Sequence, residues 1–214
     1  MDSGPYFFSA VILGFSHTIF SPDHYVPFIA LAKANRWSFP KSFLLIVVCG
    51  TAHVFSSVLI GWWGLKFLVS LQDLQFIDSF REAILAWALI CFGLLYVLRG
   101  MKRTWQGRRR SVSSNPVPPA GFLQGFLISI ALLGPCEPLI PLMGFSQQLP
   151  PFSFAGIVAV FGLTTVFTML GIVLTTLTVF RWNIVKIRIR DTSSHALAGG
   201  AVVLCGLAVC FLAQ

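Results

Sequence analysis

Runs of mostly apolar residues long enough to carry a helix across a bilayer, about 20 positions or more, succeed one another along this chain. The pattern predicts six spans, at roughly 5–32, 42–70, 83–99, 120–147, 152–180 and 194–213. Between them lie short polar stretches: "KANRWSFPK", "LQDLQFIDSFRE", "RGMKRTWQGRRRSVSSNPVPP", "SQQLPP" and "RWNIVKIRIRDTSS". The third of these is long and ends in a Ser/Pro-rich run. It divides the chain into a first three-helix group over 1–99, a basic linker over 100–119 and a second group over 120–214.

The two groups resemble each other. "SPDHYVPF" in the first span stands opposite "GPCEPLIPL" in the fourth, pairing Pro22 with Pro135, Asp23 with Cys136 and His24 with Glu137. Pro27 and Pro141 match after a one-residue gap. "GTAHVFSSVLIG" in the second span resembles "GLTTVFTMLGIV" in the fifth, and "LICFGLLYVL" in the third resembles "VVLCGLAVCFL" in the sixth. Three is odd, so the second group enters the membrane from the opposite side. The expected fold is an all-α integral membrane protein, six transmembrane helices in a 3+3 inverted repeat, with helices 1 and 4 broken by proline.

Composition adds to this. Charged residues make up 10% of the chain, against about 25% for a soluble domain. The net charge of +8 raises nucleic acid as a partner, but its placement argues for topology. Thirteen of the 15 Lys and Arg residues lie in the first, third and fifth connections, with only Lys66 and Arg81 toward the other side. The positive-inside rule then puts both termini outside the cytoplasm, in a multi-pass protein of the cytoplasmic (inner) membrane. "GRRRS" is a short juxtamembrane run without an aromatic stacking platform, so no nucleic-acid partner is expected. The N-terminus lacks a basic region and a small-residue cleavage site, so no cleavable signal peptide is expected.

The chemistry lies in the polar residues within spans. A central Asp costs roughly 2.5–3.5 kcal/mol on an insertion scale, so such groups mark function by default. Asp23 and Glu137 are the only acids within the predicted spans, and His17, His24 and His53 join them. Asp23, His24 and His53 fall at similar depth. His195 sits at the start of the last span and reads as interfacial. Cys136 adjoins Glu137, whereas Cys49, Cys91, Cys205 and Cys210 read as apolar filler.

His17 and His24 stand seven residues, roughly 10 Å, apart on an unbroken helix, too far for one small ion. Pro22 removes an amide donor and disfavours helix at Ser21, so the chain can unwind there and gather both rings. Pro135 and Pro138 act likewise around Cys136 and Glu137, and Pro27 and Pro141 complete the set of helix-breaking or gating positions. Imidazole, carboxylate and thiolate donors suit divalent transition metals better than calcium or magnesium.

"HTIFSPDH", the Gly-x-x-His of span two and "GPCE" make this chain resemble the nickel/cobalt exporter (NicO), UreH-like and TauE/SafE-like sulfite exporter families. These are related to the CcdA/DsbD transmembrane domain within the LysE superfamily. Nickel permeases carry four residues between His and Asp-His; here there are five. The CcdA-like branch uses one cysteine in span one and one in span four, whereas this chain has Asp23 and Cys136 at those places.

The expectation is a transporter, not an enzyme. It moves a divalent metal ion, nickel or cobalt with zinc as a further candidate, through His17, Asp23, His24, His53, Cys136 and Glu137 by alternating access, with no tightly bound cofactor. The alternative is a CcdA/DsbD- or TauE-like protein handling thiol redox equivalents or small sulfur compounds through Cys136, with a thioredoxin-like partner. The lipid bilayer is the common partner, and a homodimer is compatible with either reading.

Overall fold

A computed structural model describes residues 3–67, 71–107, 120–134, 136–181 and 191–212. Within them the chain is helical, with no strand. Eight α-helices follow in order: α1 (Gly4–Phe20), α2 (Val26–Ala34), α3 (Phe39–Lys66), α4 (Leu71–Gly107), α5 (Ala120–Leu133), α6 (Leu139–Ser146), α7 (Pro151–Arg181) and α8 (Asp191–Leu212). A single 3₁₀ turn, Pro22–His24, joins α1 to α2.

Segments of α3, α4, α7 and α8 are long and apolar enough to cross a membrane: Phe39–Lys66, Asp73–Lys102, Pro151–Val179 and Ser194–Phe211. The apolar helices α1 and α5 are shorter. Large apolar side chains face outward along these elements, Phe20, Phe152 and Phe211 each more than three-quarters exposed. Hydrocarbon is the solvent that tolerates such a surface. The protein is an α-helical, multi-pass membrane protein.

The predicted first and fourth spans are each two helices with a break. Ser21 leaves helical geometry (φ −101°, ψ 92°), and Pro22 opens the 3₁₀ turn. In the other break, Pro138 caps α6. Pro27 and Pro141 lie in the first turns of α2 and α6, where a missing amide leaves no bond unmade. Pro135 and the linker from 108 to 119 lie outside the described residues. The stretch read as a polar connection, 71–82, forms about three turns at the start of α4. Its charges persist in a helix because Asp78 and Arg81 pair across one turn, Arg81 Nη1 donating to Asp78 Oδ1 at 2.8 Å.

Lipid is as apolar as the core, so close packing holds the helices together. Between α4 and α8 the backbones nearly touch. A Cβ on Gly93 would lie 2.8 Å from the Gly199 carbonyl oxygen, and one on Gly100 would lie 2.6 Å from the Ala196 nitrogen. Gly93 and Gly100, like Gly199 and Gly206, are seven residues apart and so share a face. The broken helices lean on the other half of the chain: α1 on α7, α2 on α8 and α5 on α3. Two apolar cores result. One contains Phe28, Ile46, Cys49 and Met169; the other contains Cys136, Leu139, Met143 and Phe161.

Candidate metal centre

The break at Ser21 turns His24 back toward His17, and their ring centroids come to 4.8 Å. From α3, His53 meets His24 at 4.5 Å between centroids, and His17 lies 6.3 Å from His53. Three imidazoles thus converge where a straight helix would have kept two apart. One ligand atom each from His17, His53 and Cys136 lies within 4.8 Å of the others. His24 joins from the side of His53, with Nε2 to Nε2 at 3.0 Å.

Hydrogen bonds fix how these rings present their nitrogens. The Ala131 carbonyl can only accept, so His53 Nδ1 carries the proton and donates to it at 3.2 Å. That leaves the neutral ring's lone pair on Nε2, aimed at His24. On the far side of His24, Nδ1 is 3.3 Å from Asp23 Oδ2, within ion-pair range but not aligned as a hydrogen bond. The Nε2 of His17 is sealed from solvent and has no hydrogen-bond partner. A buried polar atom left unpaired needs an explanation.

The separations suit a metal ion. Two nitrogens bound at about 2.0–2.1 Å stand roughly 2.9–3.3 Å apart in octahedral or tetrahedral geometry. His24 and His53 already stand at 3.0 Å. His53 also shows the outer-shell habit of metal-binding histidine, its second nitrogen held by a carbonyl. Asp23 Oδ2, 3.3 Å from His24 Nδ1, sets a carboxylate beside the donor set.

Glu137 stands apart from this cluster: it is exposed, and its carboxyl faces that of Glu82 on α4. Cys136, its neighbour, is fully buried. Glycine makes room for the cluster, since a Cβ on Gly134 would lie 2.9 Å from His53 Nδ1.

Sequence reasoning missed Arg81, which it assigned to a connection. Buried at 8% exposure, its Nη2 reaches the Leu132 and Gly134 carbonyl oxygens at 3.0 and 2.9 Å and Ser56 Oγ at 3.0 Å. These carbonyls at the end of α5 have lost their helical partners, and the guanidinium satisfies them. At the end of α1 the Tyr25 hydroxyl donates to the Ile19 carbonyl at 3.2 Å. His195 is tied in as well: the Tyr96 hydroxyl is 2.9 Å from its Nδ1 and receives an Asn35 amide at 3.0 Å, linking α2, α4 and α8.

Compared with known proteins, the chain matches no protein-family profile, no curated protein and no solved structure.

Proposed function

We propose that this chain is a membrane transporter that moves a divalent transition-metal ion of the nickel, cobalt and zinc class. The observation that carries the reading is the set of a half-buried His17 with buried His53 and Cys136, with His24 beside it and the His17 Nε2 unpaired. Neutral imidazole and thiolate bind such ions; magnesium and calcium prefer oxygen. Loading requires these groups to be deprotonated, so affinity falls as pH falls.

Six spans in an inverted repeat give the carrier its mechanics. The order broken helix, long helix, long helix occurs twice, and contacts between the halves are reciprocal. Gly50 packs on Val166, while Gly162, its sequence counterpart, packs on Val54, the counterpart of Val166. Likewise Gly93 packs on Gly199 and Val203, and Gly206 packs on Ala86 and Ile90. One register shift maps Gly93, Ala86 and Ile90 onto Gly206, Gly199 and Val203. Such mutual pairing is the mark of a two-fold relation. Hinging of the broken helices, α1 with α2 and α5 with α6, against the frame of α4 and α8 would expose the centre to alternate sides. The basic connections favour both termini outside the cytoplasm.

Thiol redox has less support. Cys136 has no exposed surface, and all five cysteines are free. A thioredoxin-like partner could not reach the Cys136 sulfur.

The test is transport by the purified protein in proteoliposomes, with nickel, cobalt, zinc, manganese and sulfite offered separately. Uptake of at least one of the first three, abolished in His53→Ala, is the expected result. If no metal binds or moves, the reading is wrong.

A further inference from the structure

The face of α3 that carries His53 carries more. Cys49, His53 and Ser57 recur every fourth residue, within roughly 80° of arc, and all three are buried. A cavity of about 20 Å³ opens beside this face, with room for a single water or ion. Its walls include Cys49 and His53 from α3, Met169 from α7, and Asp23 and His24 from the broken turn. Neither His17 nor Cys136 borders it. The cavity is thus a different place from the His17/His53/Cys136 set, and His53 belongs to both. The Nδ1 atom of His24, a cavity-lining residue, is buried and lacks a hydrogen-bond partner.

We propose that this cavity is a second ion position, which holds a thiophilic metal ion through Cys49 Sγ, Met169 Sδ and the shared imidazoles of His53 and His24. The proposal rests on the metal-carrier reading and narrows it. With sulfur donors at both positions, the path favours ions that accept thiolate and thioether and refuses hard oxygen-seeking ions. The spacing supports it, since Cys49 and His53 at i and i+4 reach one point beside a helix. Binding releases the Cys49 thiol proton, and the thioether of Met169 has none to lose. Because the two positions share the histidine pair, one ion occupies them alternately.

Cadmium(II) is the probe, since its thiolate complexes absorb in the near ultraviolet and its charge matches the proposed cargo. Purified full-length protein is titrated as wild type, Cys136→Ser, Cys49→Ser and the double variant. Each single variant is expected to keep the cadmium–thiolate band, and only the double variant to lose it. Adding Met169→Leu to Cys136→Ser should weaken cadmium about tenfold. If Cys136→Ser alone abolishes the band while zinc or nickel still binds, the second position is wrong and the carrier reading stands. If the wild type binds none of cadmium, zinc, nickel and cobalt, both fall. A second readout uses wild-type protein alone, alkylated long enough for every cysteine to react in the ion-free state. Cadmium should slow modification of Cys49 as well as Cys136; protection of Cys136 alone overturns the proposal.

Discussion

Arg81 Nη2 lies 2.9 Å from the carbonyl oxygen of Gly134, so a charge from α4 holds the end of α5 open at its break. The bond does two things. It satisfies a carbonyl that the helix has abandoned, and it fixes the backbone that leads into Cys136.

Removing Arg81 strands Asp78, whose side chain is only 4% exposed. Breaking a buried ion pair from one side costs about 3–5 kcal/mol. Arg81→Ala should therefore unfold at markedly lower temperature in detergent, and Asp78→Ala/Arg81→Ala should recover part of the loss. Thermal melts followed by circular dichroism provide the check. A single variant as stable as wild type would contradict the clamp.

His53 and Asp23 should fail differently. On the metal-carrier reading His53 supplies a donor nitrogen, so His53→Ala is expected to abolish high-affinity metal binding. On the same reading Asp23 pairs with His24 from outside the donor set, 3.3 Å from its Nδ1, and losing such a group lowers affinity roughly 10–100-fold. Calorimetric titration of Asp23→Asn should show weakened binding with unchanged stoichiometry. Complete loss would instead make Asp23 a direct ligand.

Gly134 leaves space for the His53 ring and no more. A methyl group there would press on Nδ1 from 2.9 Å and turn the ring from Ala131. Gly134→Ala should weaken metal binding severalfold, whereas Gly121→Ala, with nothing within 4 Å of its new Cβ, should leave it unchanged. Equal affinities in the two variants would show that the ring tolerates the methyl.

The reciprocal pairs Gly50–Val166 and Gly162–Val54 make a symmetry prediction. Cβ atoms at Gly50 and Gly162 would meet these valines at 3.1 and 2.9 Å. Gly50→Leu and Gly162→Leu should lower the melting temperature by similar amounts, despite lying in opposite halves of the sequence. A cost confined to one of them would argue against matched roles.

Much of the frame was legible in the amino-acid order, because it is written in signals that act locally. Apolar length marked the long helices, and Pro22 and Pro138 marked the two breaks. Three histidines in greasy sequence announced a cluster, and the structure gathers them. What the order concealed depends on partners distant in the chain. Arg81 looked like a loop charge because its acceptors, at Ser56, Leu132 and Gly134, are 25 to 53 residues away. Glu137 resembled a ligand by its neighbour, yet the break turns Cys136 inward and leaves Glu137 exposed. Cys49 looked like filler, and the structure does place it in an apolar core, fully buried.

The glycine contacts along α4 and α8 bear on how any rearrangement must be shared. Two backbones in such contact have no slack to slide or tilt, because every substituent that could act as a spacer is missing. These helices form a stiff chassis, and one of them carries the Arg81 bolt. The parts left free to hinge are the short pieces on either side of Ser21 and Gly134, whose breaks bring together His17, His24 and Cys136. If the chain carries an ion as proposed, motion would begin at the donor atoms themselves, and releasing the ion and changing its access would be one event.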